Sequence, residues 1–214
     1  MKIFLDTAAI SEIKAAADTG LLDGVTTNPS LIAKGTQTRE EVISEIARLV
    51  DGPISAEVLA MDTAGMLAEG LTLAAIHPNI TVKLPMLPSA MPVVKTLAER
   101  GMKTNVTLVF TVAQALMAAK AGATFVSPFV GRLDDQGESG MAVVAQIIQV
   151  FHRYHLPTQV LVASVRSRDH VEQAARLGAD IATVPYSIFT SLFEHPLTTT
   201  GLKKFLQDAT SQTT

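Results

Sequence analysis

Eight short runs of β-forming residues recur along the chain, separated by Ala-, Leu- and Glu-rich stretches with helical spacing. The strand-like runs are residues 2–6, 24–28, 54–58, 81–85, 104–109, 124–130, 159–164 and 181–185. Helical periodicity marks 39–50, 63–75, 91–100, 112–121, 140–155 and 169–177, where apolar residues return every three or four positions. Boundary signals agree. Ser11 and Thr38 are placed to cap helices, and Gly101, Gly122 and Gly178 stand just past helix ends. The unit returns every ~20–35 residues, with no Ser/Gly linker or charge run between units. Eight such units predict an α/β chain folded as a single-domain (β/α)8 TIM barrel over 1–214, with short loops. An open doubly wound sheet is the competing architecture, but no strand leads into G-x-G-x-x-G or G-x-x-x-x-G-K-[ST]. Residues 198–209 read as an extra C-terminal helix, and 210–214 as a frayed end.

Charge and composition exclude several classes. The 17 Lys+Arg are outnumbered by 20 Asp+Glu, and no basic stripe stands out to neutralise nucleic-acid phosphates. The chain has no cysteine, which excludes disulfides, thiol catalysis and Cys-built metal sites. Its opening apolar run is stopped by Asp6, short of the ~7–15 apolar residues of a signal peptide. The longest charge-free stretch, 104–119, carries Asn105, Thr107, Thr111 and Gln114, and so is not the ~20 apolar residues of a membrane span. A soluble cytoplasmic protein without nucleic-acid or membrane partners is expected.

In a strand, alternate side chains face opposite ways. Strand four sets Ile80, Val82 and Leu84 against Thr81, Lys83 and Pro85. Strand three sets Ile54, Ala56 and Val58 against Ser55 and Glu57; strand five sets Val106 and Leu108 against Asn105, Thr107 and Val109. Strand one gives Phe4 and Asp6, strand two Thr26 and Asn28, and strand six Ser127 and Phe129 on the face away from the helices. Strand seven sets Leu161, Ala163 and Val165 against Val160, Val162, Ser164 and Arg166. The face away from the helices therefore turns polar toward the C-terminal end: Asp6, Asn28, Glu57, Lys83, Asn105, Thr107, Ser127, Ser164 and Arg166. Barrel enzymes hold their sites at that end. Interior Lys, Glu, Asp and Arg each cost several kcal/mol to desolvate unless paired, so a plain core would not collect them.

Lys83 is the informative member. Inside a barrel an amine loses hydration, which favours its neutral form, and a neutral amine attacks ketones to give a Schiff base. The iminium is an electron sink for cleavage of the neighbouring C–C bond. Glu57 and Asp6 supply two carboxylates for separate proton transfers, and Thr107 is placed to hold a water. Asn28 and Asn105 suit substrate hydroxyls. Arg132, Ser164 and Arg166 suit a phosphate, with Ser167 capping the next helix. Bland readings compete: a structural Lys83–Glu57 ion pair, and surface pairing of arginines with Asp134, Asp135 or Asp169, expected more of Arg168 than of Arg166. Ser11-Glu12-Ile13-Lys14 reads as a helix start rather than a nucleophile motif, and His152 with His155 as surface residues rather than metal ligands.

The runs Leu5-Asp6-Thr7, Gly24-Val25-Thr26-Thr27-Asn28-Pro29-Ser30, Ser55-Ala56-Glu57-Val58, Val82-Lys83-Leu84-Pro85, Asn105-Val106-Thr107-Leu108, Ser127-Pro128-Phe129-Val130-Gly131-Arg132-Leu133-Asp134-Asp135 and Ala163-Ser164-Val165-Arg166 together resemble the small transaldolase family over nearly the whole chain. The resemblance implies Lys83 as Schiff-base lysine. It implies Asp6 and Glu57 as acid/base groups, Glu57 working with a water held by Thr107. It places Asn28, Thr26, Asn105, Ser127 and Phe129 at the dihydroxyacetone moiety, and Arg132, Ser164 and Arg166 at the phosphate. It implies sugar-phosphate substrates, no metal or other cofactor, and a homo-oligomer, pentamer or decamer, with the C-terminal helix reaching a neighbour. The related fructose-6-phosphate aldolases carry Gln and Tyr where this chain has Glu57 and Phe129, which favours the transferase. Ser167-Arg168 departs from the His-Pro pair expected there.

Overall fold

The computed structural model describes residues 1–33 and 35–211. Eight parallel strands close into a barrel in chain order. They are β1 (Lys2–Asp6), β2 (Gly24–Thr26), β3 (Ile54–Glu57), β4 (Ile80–Pro85), β5 (Thr104–Val109), β6 (Phe125–Pro128), β7 (Gln159–Val162) and β8 (Ile181–Val184), which pairs back onto β1. Helices α1 (Ile10–Ala17), α2 (Pro29–Ile32), α3 (Arg39–Leu49), α4 (Thr63–Ala74), α5 (Met91–Glu99), α6 (Val112–Lys120), α7 (Val130–Asp135), α8 (Gly140–Arg153), α9 (Arg168–Leu177) and α10 (Tyr186–Ser191) connect and surround them, and α11 (Pro196–Ser211) follows. This is the (β/α)8 barrel that the eight-fold alternation predicts. Among the described residues no helix is long and apolar enough to cross a membrane.

Local chemistry sets the element ends. Thr38 accepts from the Glu41 N–H while the Glu41 carboxylate accepts from the Thr38 N–H, a capping box that starts α3. Gly101, Gly122 and Gly178 take positive φ where helices end, as expected. Ser11 does not cap α1: the helix already starts at Ile10, and Ala9 at its N-cap offers no side-chain bond. Thr7 organises that end instead. Its hydroxyl accepts from Ala9 N–H at 3.1 Å and donates to Glu12 at 2.6 Å. β2 is shorter than expected because Asn28 leaves the sheet to cap α2. At the other terminus α11 runs through Thr210 to Ser211, so the expected fraying does not begin at 210; residues 212–214 lie outside those described.

Two apolar layers sandwich the sheet. The outer one, between strands and helices, packs Leu5, Val25, Ile54, Val82, Val106, Val126 and Val184 against Ile13, Ile46, Met66, Leu97 and Ile147. The inner one is a plug of Phe4, Phe125, Leu161, Ala163 and Ile181 with Phe129 against it. Each large side chain so buried contributes about 1.5–3 kcal/mol. Phe4 and Phe125 meet edge to face at 6.2 Å. Gly24 makes room for them, since a Cβ there would lie 2.7 Å from the Phe4 ring.

The plug corrects two side assignments. Along β7 and just past it, Leu161 and Ala163 face the barrel interior while Val160 and Val162 join the outer core, the reverse of the expected sides; Val165 joins the outer core as expected. On β5, Leu108 takes a left-handed φ of 59° where the pairing with β6 shifts register. The kink breaks the alternation, so Val109 joins the outer core rather than the interior.

Candidate active site

Strand register brings the central residues together. Glu57 on β3 pairs across to Lys83 on β4, which pairs across to Asn105 on β5; Pro85 lies beside Thr107, and Asp6 beside Thr26. Lys83 is only 5% exposed. Its Nζ donates to the Thr27 carbonyl at 3.0 Å and lies 3.0 Å from Glu57 Oε2. The ion pair foreseen as the bland alternative is therefore present. It offsets the desolvation of the ammonium and leaves a carboxylate beside the amine. Asn105, fully buried, donates from Nδ2 to Ser55 Oγ at 3.1 Å and accepts from Ser127 Oγ at 2.7 Å. The Thr107 hydroxyl is buried and has no hydrogen-bond partner among the described residues, which suits it to an oxygen entering the cavity.

Asp6 closes the ring from β1. Thr26 donates to its Oδ1 at 2.7 Å and contacts Thr183 Oγ1, also at 2.7 Å. Burial pushes the Asp6 carboxyl above its usual range, against the Thr26 hydroxyl and the Lys83 charge, which both favour the anion.

Two adjoining cavities occupy this end of the barrel. One of about 160 Å³ is lined by Asp6, Thr26, Asn28, Lys83, Asn105, Thr107, Ser127, Phe129, Arg132 and Ser164, together with Ala163 and Thr183. The other, about 350 Å³, shares Asn28, Lys83, Thr107, Phe129 and Arg132 and adds Glu57 and Leu108. Of the residues singled out from sequence, Arg166 alone lines neither. A larger cavity of about 500 Å³ meets the first at Asp6, with Glu12, Leu31, Val42 and Tyr186 among its walls.

The cationic rim comes from α7 and the loop after β7. Arg132 lies over the Phe129 ring, 5.1 Å from its centre. Ser164 has a φ of 58°, and this left-handed turn, not strand parity, brings it to the cavity. Arg166 stands at the rim in a bidentate pair with Asp135, both side chains half exposed. Its hydrogen bonds hold the Asp135 carboxyl below its usual range. Surface pairing was expected of Arg168 instead; that residue donates to the carbonyls of Glu194 at 2.7 Å and Ser191 at 3.4 Å. Ser167 caps α9 as expected, accepting from His170 N–H. Among the described residues no group of three or more His, Asp or Glu side chains is placed to hold a metal ion.

Sequence reasoning passed over Thr183. The alternation Ile181-Ala182-Thr183-Val184 carries the signal, because Ile181 belongs to the inner plug and Thr183 follows it on the same face.

A (β/α)8 barrel with a buried lysine between a carboxylate and a carbonyl, a second carboxylate across the cavity and arginines at the rim is equipped for imine chemistry on an anionic carbonyl compound. The comparisons narrow that class. Residues 3–214 match the model of the family described as transaldolase/fructose-6-phosphate aldolase, and the chain belongs to that family. A probable transaldolase of Moorella thermoacetica is 57% identical over 208 residues, 97% of each chain. Probable transaldolases of Citrifermentans bemidjiense and Leptospira biflexa are 56% and 54% identical, over 97% and 98% of each chain. Among solved structures, thiamine phosphate pyrophosphorylase from Pyrococcus furiosus superposes with a TM-score of 0.59 over 86% of this chain and 85% of its own, at 14% identity; that likeness concerns the fold alone.

Proposed function

We propose that the chain is a transaldolase, moving a dihydroxyacetone unit from a ketose phosphate to an aldose phosphate. Sedoheptulose 7-phosphate or fructose 6-phosphate would be the donor, and glyceraldehyde 3-phosphate or erythrose 4-phosphate the acceptor, in the cytoplasmic pentose phosphate pathway. The observation that carries this reading is the buried Lys83 amine, 3.0 Å from Glu57 and sharing a cavity with Asp6. Glu57, 3.0 Å from the amine, takes the ammonium proton, the amine attacks the donor carbonyl, and Glu57 returns a proton to the departing hydroxyl through a water held by Thr107. Loss of water gives the iminium. Asp6 then takes the proton of the hydroxyl carried by the far carbon of the bond that breaks. That C–C bond breaks, its electron pair moves into the iminium, and an aldehyde leaves. The enamine left on Lys83 adds to the acceptor aldehyde by the reverse steps. Asn28, Asn105 and Ser127 hold the three-carbon unit, and Arg132, Ser164 and Arg166 the phosphate, with Arg166 swinging from Asp135 to reach it.

A homo-oligomer, pentamer or decamer, belongs to this reading. Every described side chain of α11 except Gly201 is exposed, and Leu202, Phe205 and Leu206 form a stripe suited to a neighbouring copy.

Borohydride reduction with fructose 6-phosphate present, followed by peptide mapping, tests the chemistry. A reduced three-carbon adduct on Lys83 is expected, and Lys83→Met is expected to fold, form no adduct and lose turnover. Residual cleavage by that variant, or an adduct elsewhere, defeats the mechanism. Release of free dihydroxyacetone at an equal rate with and without erythrose 4-phosphate would replace the transferase by an aldolase.

A further inference from the structure

Thr183 stands on β8, level with Phe4 of the neighbouring strand, and is 2% exposed. Its hydroxyl is 2.7 Å from that of Thr26, which is 2.7 Å from Asp6 Oδ1. Three oxygens in a row share two hydroxyl protons. When Asp6 is ionised it only accepts, so Thr26 donates to it and Thr183 donates to Thr26. When Asp6 carries a proton on Oδ1, the order reverses. Asp6 donates to Thr26, Thr26 donates to Thr183, and the Thr183 proton turns toward the cavity that Thr183 lines. Either way both contacts stay satisfied, which matters in a buried site where an unmade hydrogen bond costs most.

We propose that Thr183 is a positioning residue that, acting through Thr26, lets Asp6 change protonation state without leaving a buried hydroxyl unsatisfied. The proposal rests on the transaldolase reading, in which Asp6 gains a proton as the C–C bond breaks and loses it as the acceptor adds. When the proton sits on Oδ1, Thr26 must turn from donor to acceptor and needs a second oxygen to receive its own proton. With Val at position 183, a Thr26 that accepts from Asp6 loses the Thr183 oxygen as the acceptor for its own proton and is left with only the cavity it lines. The substitution therefore disfavours protonated Asp6, the species that cleavage creates.

The charges around Asp6 are separate from this relay. Lys83 faces it from β4 and Arg132 from α7 across the smaller cavity, with Glu57 of β3 beside Lys83. Glu12 of α1 and Tyr186 of α10 face it across the larger cavity. Thr183 has no side-chain hydrogen bond or ion pair with any of them, so its replacement leaves that charge set in place. Burial holds the carboxyl above its ordinary range, which keeps the protonated form within reach and gives the relay a state to serve.

The test compares Thr183→Val and Thr183→Ser in the full chain, with Thr183→Ala as a second apolar variant should Val fold poorly. Two quantities are read: the pH profile of turnover with fructose 6-phosphate and erythrose 4-phosphate, and the Asp6 titration midpoint by carbon NMR of the resting protein. The expected result is a fall in kcat of about tenfold, part of the ~10²–10⁴-fold that acid–base catalysis supplies, with KM little changed. The Asp6 midpoint and the corresponding limb of the profile move to lower pH, and Ser restores both. A folded Val or Ala variant whose midpoint stays or rises overturns the relay. The titration needs no turnover, so the two ideas fail separately: an inactive wild-type chain that traps no adduct defeats the proposed function, and an unmoved midpoint defeats the relay.

Discussion

A carboxyl held above its ordinary range weakens the fold that holds it. Asp6 is protonated more readily folded than unfolded, so the native state binds more protons between the two midpoints. Stability therefore falls as pH rises from the unfolded value of 3.8 toward the raised native one, and the loss persists at neutral pH. Asp6→Asn keeps an acceptor for Thr26 and removes the charge. It is expected to raise Tm at pH 7 by several degrees, at about 2–4 °C per kcal/mol for a chain this size, and to lose that gain as pH drops below the ordinary carboxylate range. Turnover should fall at least ~10²-fold. Melting curves at pH 7 and pH 3.5 read the sign, and an equal shift at both would mean that ionisation is not the cause. Lys83 presents the opposite arrangement, with its charge matched by Glu57 and the Thr27 carbonyl.

At the scale of elements, the start of α7 is the tightest passage near the site. Gly131 N–H donates to the Ser164 carbonyl at 3.1 Å, and a Cβ at Gly131 would lie 2.4 Å from that carbonyl and 2.6 Å from Arg166 Nε. Gly131→Ala must push the β7–α9 loop outward. We expect KM for phosphorylated donor to rise about tenfold or more, with borohydride trapping of unphosphorylated dihydroxyacetone little affected. Equal losses for both would place the damage at Lys83 instead. The same elements show what sequence can carry. Lys83, Glu57 and Asn105 were legible because charged and amide groups alternate with Val, Ala and Leu on their strands, and register does the rest. β7 was not, because Val160, Leu161 and Val162 are apolar on both faces and a closed barrel buries both. Alternation alone assigns its sides in reverse, and Ser164 reaches the cavity only because its left-handed backbone undoes that alternation. The kink at Leu108 has no glycine to announce it. The grip of Asp135 on Arg166 joins residues far apart in the chain, and local spacing does not choose between Arg166 and Arg168.

Over the whole molecule, α11 gathers four exposed apolar side chains, Leu197, Leu202, Phe205 and Leu206, on one helix. Under the proposed homo-oligomer, Phe205→Asp combined with Leu206→Asp should leave the helical content and barrel intact while lowering the mass seen by light scattering toward that of one 22.7 kDa chain. An unchanged mass with the variant folded would mean that other surfaces hold the assembly. Inside the barrel, Phe4, Phe125, Leu161 and Ile181 fill the space on the amino-terminal side of the polar layer. The reaction chamber is therefore a cul-de-sac, entered and left from the carboxyl-terminal end of the strands. Under the proposed function, the aldehyde cut from the donor and the aldehyde that replaces it must use the same opening in turn. Side chains that touch no substrate thereby impose a double-displacement order: the first product departs while the three-carbon fragment stays tethered, and only then is there room for the second substrate.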